Sequence, residues 1–139
     1  MADKLHGRAH LIQGFQISLD DGRSHCVMAD LPTDIDESLG PTPLELCVMS
    51  HAGCYAVICA LTAKKMRLPL KGLDVKVEAV ETDEAGTITE EKFDILIKVD
   101  APEDRVQRLH ELTLENCPVG KIFEKADVKL SYDVRTSKE

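Results

Sequence analysis

The sequence predicts a single domain, residues 1–139, in which helices and strands are mixed, and three observations support this. The stretch from Leu46 to Leu61 is uncharged and almost wholly apolar or small, which is typical of a central helix. Segments that alternate apolar and polar side chains, as strands do, lie on both sides of it. The 139 residues, 43% hydrophobic and 30% charged, have the size and composition of one globular domain.

Charge and cysteine content exclude several classes of function. The net charge of -8 argues against nucleic acid as a partner, because phosphates require a basic patch. No polybasic segment suggests a membrane surface, and the first eight residues lack the apolar core of a signal peptide. We therefore expect a cytoplasmic protein, in which five cysteines serve as buried, metal-binding or redox thiols rather than a disulfide framework.

The first 30 residues predict a hairpin or meander. Phe15, Ile17 and Leu19 alternate with polar residues, as in a strand. The run from Asp20 to Arg23 contains Asp-Gly and predicts a tight turn, after which His25 to Ala29 forms the returning strand. Residues 31–40 are acidic and irregular and predict a loop.

The central helix has clear start and stop signals. Thr42 and Glu45 have the spacing of a capping box, and Pro43 suits the first helical position. Basic residues occupy the last turn, where they complement the helix dipole: Lys64, Lys65 and Arg67. Since the helix is apolar on every side, we expect it to be buried on every side, which a homodimer would help to achieve. The uncharged run is shorter than the roughly 20 residues of a membrane span.

Two strands and their connection are predicted next. Residues 73–80 alternate strictly, and residues 93–99 alternate again, so the two segments predict an antiparallel hairpin. The polar segment from Glu81 to Glu91 contains Gly86 and is interpreted as the connecting turn.

The remaining chain predicts two helices and a strand. Asp100 to Glu103 resembles a second capping box and opens an amphipathic helix that ends near Asn116. Its apolar stripe consists of Val106, Leu109, His110, Leu112 and Thr113. Pro118 predicts the start of a short helix reaching about Ala126, and residues 128–134 alternate as a last strand.

Cysteines occupy two distinct settings. Cys47, His51 and Cys54 share one face of the central helix, although buried cysteines most often act as small hydrophobic residues. Cys117 precedes Pro118 and is therefore expected to cap the short helix. There the helix dipole and unpaired N–H groups favour thiolate and lower the pKa of the thiol.

These features resemble the OsmC/Ohr family of thiol-dependent peroxidases over nearly the whole chain. The specific segments are Gly-Pro-Thr-Pro-Leu-Glu-Leu, which opens the central helix, Ser-His-Ala-Gly-Cys at 50–54, and Asn-Cys-Pro-Val at 116–119. The resemblance implies an α+β domain with a curved antiparallel sheet wrapped on two central helices. It also implies an intertwined homodimer in which both subunits form each site.

The resemblance assigns the catalytic roles to two cysteines. Cys54 is expected to be the peroxidatic thiol and Cys117 the resolving thiol, with organic hydroperoxides as substrates. Thiolate attack on the O–O bond leaves a sulfenic acid, the second thiol converts it to a disulfide, and an external dithiol reduces that disulfide. We expect no cofactor and no metal.

The chain departs from the family pattern at the activating residues. Members of the family use an N-terminal arginine held by a glutamate ten residues before the cysteine, and Leu44 occupies that position here. Glu45 is interpreted as the capping-box residue. Arg8 is favoured over Arg23 as the activating arginine.

Two other functions remain open. A non-catalytic redox sensor or binding protein is favoured by the missing glutamate, whereas Cys54 and Cys117 together favour the enzyme. A metal site formed by Cys47, His51 and Cys54 is the weakest alternative, since only three ligands are visible. Otherwise Cys47 and His51 are expected in the core, and Cys26 and Cys59 are expected to be ordinary buried cysteines.

Overall fold

The computed structural model describes residues 2–31 and 38–139 and divides into two units. One unit runs up to Cys47 and the other from Val48 to the end. In chain order the elements within the described residues are β1 (Arg8–Gln13), β2 (Gln16–Asp20), β3 (Cys26–Ala29), α1 (Pro43–Lys65), β4 (Leu70–Thr82), β5 (Thr87–Val99), α2 (Glu103–Asn116), α3 (Pro118–Lys125) and β6 (Lys129–Ser137). The predicted α+β class is confirmed.

The first unit is built on a three-stranded antiparallel meander, β1-β2-β3. Gly14 and Gly22 lie in the turns at positive φ, 55° and 76°, where glycine is free of steric cost. Phe15, predicted within a strand, lies in the first of these turns. The predicted hairpin between β2 and β3 is confirmed. Most of the predicted 31–40 loop, residues 32–37, lies outside the described residues.

Close backbone contact joins the segment before α1 to the end of β3. The Asp30 N–H donates to the Pro41 carbonyl at 3.0 Å, and the Asp30 carboxylate accepts from the Leu39 N–H at 3.1 Å. A Cβ on Gly40 would lie 2.5 Å from the Met28 carbonyl oxygen. Only glycine therefore fits this approach without displacing the backbone.

The start of α1 confirms the predicted capping box. The Glu45 N–H donates to Thr42 Oγ1 at 3.1 Å, and the Thr42 N–H donates to Glu45 Oε1 at 3.0 Å. These two bonds satisfy backbone donors that an uncapped helix leaves unpaired. The helix begins at Pro43 as predicted but ends at Lys65, so Arg67, which was expected in the last turn, lies just beyond it.

The prediction that α1 is buried on every side is wrong for the single chain. Its buried residues form one stripe: His51, Tyr55, Cys59, Thr62 and Ala63. Met49, Val57 and Leu61, on other faces, are about half exposed or more. One sheet and one amphipathic helix cover only one face of a helix.

By length and composition α1 also meets the requirements for crossing a membrane. It has 23 residues and a mean hydropathy of 1.7 over its most apolar window. The central helix of a soluble protein meets the same requirements, so this single helix is weak evidence for a membrane.

The second unit contains a three-stranded sheet in the order β4-β5-β6. The strands β4 and β5 pair antiparallel as predicted. However, β4 extends to Thr82 and β5 begins at Thr87. The predicted connection over residues 81–91 was therefore too long, and Glu91 lies inside β5. The last strand pairs parallel to β5, a pairing that the implied antiparallel sheet did not include. A parallel neighbour needs a crossover connection, which α2 and α3 supply.

The core of the second unit lies between this sheet and the helices α1 and α2. Side chains of β5 that alternate along the strand are fully buried, among them Phe93, Ile95 and Ile97. The predicted stripe of α2 is buried at Val106, Leu109, His110 and Thr113. The predicted second capping box is wrong, because Pro102 is the N-cap and no side chain caps the helix.

Candidate functional site

Two cysteines from distant parts of the sequence meet in the second unit. Cys54 is half-buried on α1, and Cys117 is the N-cap residue of α3 with 2% of its surface exposed. The Cys54 thiol lies close enough to Cys117 to contribute to the raised pKa of the Cys117 thiol. The structure therefore brings together the two residues that the sequence singled out, 63 positions apart.

Burial decides the protonation of Cys117. Desolvation, with a smaller contribution from the nearby Cys54 thiol, raises the pKa of Cys117 to about 11. The backbone N–H groups of Gly120 and Val119 act in the opposite direction but do not compensate, and no side-chain cap hydrogen bond forms. The prediction that the helix start lowers the pKa of this thiol is therefore wrong, because burial outweighs the dipole.

A buried histidine and glutamate lie beside the thiols. His51 Nδ1 is 2.6 Å from Glu91 Oε1, and the two residues are only 2% and 1% exposed. With a carboxylate as the acceptor, Nδ1 carries the proton and Nε2 presents its lone pair. The prediction that His51 is buried is confirmed, whereas its pairing with Glu91 was not expected.

Two aromatic rings fix the plane of the His51 ring. Phe123 of α3 stacks on it with centroids 4.7 Å apart and an interplanar angle of 11°. Phe93 of β5 meets it edge-on, also at 4.7 Å, with an angle of 73°. The ring is thus held on three sides, by one hydrogen bond and two ring contacts, which restricts the direction of Nε2.

Gly120 marks the place that Nε2 faces. A Cβ on Gly120 would lie 3.3 Å from His51 Nε2 and 3.5 Å from Cys117 Sγ. The imidazole nitrogen and the thiol sulfur therefore flank the same small space, which the glycine leaves open.

Glu91 keeps one oxygen unpaired. Among the described residues, its Oε2 is the buried side-chain nitrogen or oxygen atom that lacks a hydrogen-bond partner. Such an atom costs free energy unless the site uses it. The pair is therefore a candidate for a functional rather than a purely structural role.

A second buried polar group lies deeper in the core. Tyr55 Oη is 2.6 Å from His110 Nδ1, and Tyr132 contacts the His110 ring. Burial raises the pKa of Tyr55 and lowers that of His110. The pKa of Cys59 is likewise raised by burial, and this thiol is buried as predicted.

Other predicted residues lie elsewhere. Cys26, expected to be buried, is exposed near the start of the edge strand β3. Cys47, expected in the core, is exposed because the buried stripe of α1 begins one turn later. In the first unit, Arg8 Nε bonds Asp20 Oδ1 at 2.9 Å, and Arg23 pairs with Asp21 at 3.3 Å.

The predicted metal alternative finds no support. In residues 2–31 and 38–139, no group of three or more His, Cys, Asp or Glu side chains is arranged to hold a metal ion. Of the three proposed ligands, His51 already bonds Glu91 and Cys47 is exposed.

Comparisons with known proteins agree with this fold. The family model described as OsmC-like protein matches residues 35–133. The crystal structure of an OsmC-like protein from Mycoplasma pneumoniae covers 99% of this chain and 99% of its own, with a TM-score of 0.88 and 16% identity.

Two further structures carry more specific names. The organic hydroperoxide resistance protein OhrB of Bacillus subtilis covers 97% of this chain and 98% of its own, with a TM-score of 0.65 and 17% identity. An organic hydroperoxide resistance protein OsmC from Legionella pneumophila, called a predicted redox protein, covers 99% and 98%, with a TM-score of 0.68 and 14% identity. At these identities the likeness shows the fold. None of the curated proteins compared with the chain matches it.

Proposed function

This chain belongs to the OsmC-like protein family, and from that membership and its thiol pair we propose that it reduces organic hydroperoxides. Cys54 is the peroxidatic thiol and Cys117 the resolving thiol. The names of the Bacillus subtilis and Legionella pneumophila structures support this substrate class.

The observation that carries the proposal is the proximity of the two thiols, which interact closely enough for Cys54 to raise the pKa of Cys117. A resolving cysteine must reach the sulfenic acid before further peroxide oxidises it, so contact before the reaction is an advantage. Cys54, as the more exposed of the two sulfurs, is the one that substrate reaches first.

The reaction needs no bound cofactor. The sulfur of Cys54 attacks one peroxide oxygen, the O–O bond breaks, and the alcohol leaves with a proton. Cys117 then displaces hydroxide from the Cys54 sulfenic acid and forms the disulfide. An external small or protein dithiol reduces the disulfide by exchange and restores both thiols.

The same proposal includes assembly as a homodimer in the cytoplasm. The exposed apolar residues Met49, Val57 and Leu61 of α1 supply a surface that a second copy would cover. Measurement of the molecular mass in solution tests this part independently of the chemistry.

Peroxide consumption tests the catalytic part. Reduced protein is mixed with cumene hydroperoxide and excess dithiothreitol, and peroxide loss is followed for the wild type, Cys54→Ser and Cys117→Ser. We expect no turnover for Cys54→Ser, and sulfenic acid without an internal disulfide for Cys117→Ser. Cys26→Ser, which alters an exposed cysteine, is the matched control and should retain turnover. A wild type that stays fully reduced under excess peroxide contradicts the proposal.

A non-catalytic redox sensor or ligand-binding protein is the second candidate, and one observation favours it. Glu45, the nearest acidic residue to the position of the family's activating glutamate, is engaged in the capping box with Thr42. A sensor would form the Cys54–Cys117 disulfide once and turn over poorly with any dithiol. Stoichiometric oxidation without multiple turnover would therefore identify the sensor.

A further inference from the structure

The buried His51–Glu91 pair has no part in the chemistry described so far. We propose that His51, positioned by Glu91, accepts the proton of Cys117 when Cys117 closes the disulfide with Cys54. This inference rests on the proposed function and adds to it the group that activates the resolving thiol.

The hydrogen bond to Glu91 selects the tautomer that this role needs. His51 Nδ1 lies 2.6 Å from Glu91 Oε1, and a neutral imidazole that donates this bond to the carboxylate has its lone pair on Nε2. The stacked ring of Phe123 and the edge-on ring of Phe93 restrict rotation of the His51 ring. The direction in which Nε2 points is therefore fixed. Glu91 is thus a positioning residue.

His51 Nε2 and Cys117 Sγ border the same space over Gly120. Nε2 and Cys117 Sγ lie 3.3 and 3.5 Å from the position that a Cβ of Gly120 would occupy. Any larger residue at this position would place a methyl group or more against both atoms. The start of α3 therefore carries a glycine at the position that both His51 Nε2 and Cys117 Sγ border.

Cys117 needs such a partner to react near neutral pH. Burial raises its pKa to about 11, so only about one molecule in 10⁴ carries the thiolate at pH 7. General base catalysis by a positioned side chain contributes about 10²- to 10⁴-fold. Burial accounts for about 100-fold of this deficit, the difference between a pKa of 9.0 and one of about 11, and a general base can compensate for a loss of that size.

The other ionisable groups around the cluster do not compete for this role. Tyr132 of β6 contacts Phe93, and burial raises its pKa to about 12; Tyr55 of α1 is shifted in the same direction. His110 of α2 has its Nδ1 bonded to Tyr55, not to a thiol. His51 is the imidazole whose Nε2 borders the same space over Gly120 as Cys117 Sγ.

The step balances without a further reactant. Cys117 S–H transfers its proton to His51 Nε2, and its sulfur attacks the sulfur of the Cys54 sulfenic acid. The S–S bond forms as the S–O bond breaks, and the leaving hydroxide takes the proton from Nε2 as water. Cys117 is oxidised, the sulfenic sulfur is reduced, and His51 ends neutral as it began.

A single-turnover experiment with the full-length protein tests the role. Reduced wild type, His51→Asn, Glu91→Gln and Glu90→Gln are mixed with one equivalent of cumene hydroperoxide. Samples are quenched with acid and assayed by mass spectrometry for sulfenic acid and disulfide. Glu90→Gln removes the neighbouring carboxylate on the exposed side of β5 and is the matched control.

We expect the first step to survive and the second to slow. His51→Asn should form the Cys54 sulfenic acid within about 3-fold of the wild-type rate, but close the disulfide about 100-fold more slowly at pH 7. Its closure should accelerate about tenfold per pH unit from pH 7 to 10, as hydroxide ionises Cys117 directly, whereas wild-type closure should change far less. Glu91→Gln should also slow disulfide closure, but by less than His51→Asn does. Glu90→Gln should close the disulfide at the wild-type rate.

Gly120→Ala supplies a second variant that keeps both polar residues. The helical backbone accepts alanine, and the added methyl group lies against Nε2 and Sγ, so closure should slow while the protein stays folded. This variant keeps the test valid if His51→Asn does not fold, as checked by circular dichroism.

Three results overturn the inference: closure at the wild-type rate in His51→Asn, an equal pH dependence in both proteins, or loss of sulfenic acid formation in place of closure. Wild type that forms no sulfenic acid would instead refute the proposed function. In that case diamide, an oxidant that joins thiols without peroxide, replaces the hydroperoxide. A closure rate with diamide that is unaffected by His51→Asn would then refute the inference by itself.

Discussion

Removal of the Cys117 thiol should change how the stability of the protein responds to alkaline pH. Burial raises the pKa of this thiol from its usual 9.0 to about 11 in the folded state. The folded protein therefore keeps a proton that the unfolded chain releases first. The resulting stabilisation is fully present below pH 9 and is lost as the pH rises through about 11.

The size of the loss follows from the two pKa values. Between pH 8 and pH 10, a group that titrates at 9.0 when unfolded and about 11 when folded removes about 1.3 kcal/mol from the free energy of unfolding. Tyr132, with a pKa raised to about 12, adds a loss at higher pH. Burial is the largest cause of the Tyr132 shift and acts in a Cys117 variant as well, so most of that second contribution cancels in the comparison.

Urea unfolding under reducing conditions at pH 8 and pH 10 measures the effect. Cys117→Ala should lose about 1.3 kcal/mol less than the wild type between the two pH values, whatever its stability at pH 8. Cys26→Ala, which removes an exposed thiol, should follow the wild type. Equal losses in wild type and Cys117→Ala would refute the assignment of a raised pKa to this buried thiol.

Two predictions concern the first unit. Thr42→Ala removes the hydroxyl oxygen that accepts the Glu45 N–H in the capping box. The free energy of unfolding should therefore fall by about 1 kcal/mol in urea titrations. An unchanged midpoint would mean that the cap contributes nothing. Gly40→Ala places a Cβ 2.5 Å from the Met28 carbonyl oxygen and should cost about 1–3 kcal/mol by the same measurement. Gly7→Ala, where an added Cβ meets nothing within 4 Å, is its control; equal effects of both substitutions would contradict the steric argument.

Local signals in the sequence predicted the helix starts well where a residue type or spacing has one main structural role, as in a capping box or a proline at the first helical position. The Thr42–Glu45 spacing and Pro43 gave the start of α1 because a capping box leaves few alternatives. Cys-Pro at 117–118 likewise gave the start of α3. The second expected box failed because Pro102 took the N-cap position itself.

The candidate site was only half predictable. The segment from Glu81 to Glu91 is rich in acidic residues and was interpreted as a turn. Glu91 was therefore not recognised as a buried residue of a strand. Its one available signal was register: Glu91 continues the alternate positions of Phe93 and Ile95, all on the buried side of β5. A carboxylate on a buried face requires a partner, and His51 on α1 meets that need only after folding.

Burial of cysteines was predictable only in part because it depends on where the core ends. Cys59 lies in the middle of the stripe of α1 and is fully buried. Cys47 shares the same helix but precedes the stripe, and Cys26 lies near the start of a short edge strand. No pattern within the sequence marks those limits, since they follow from the packing of distant elements.

The parallel pairing of β6 with β5 has a consequence for newly made protein. Cys117 lies within the crossover that this pairing requires, so the order of synthesis delivers Cys54 long before its partner. Under the proposed function, a nascent chain therefore carries the peroxidatic thiol before the resolving thiol has been synthesised. The proposed resolution of a Cys54 sulfenic acid by Cys117 would therefore be possible only after the crossover has been made and folded.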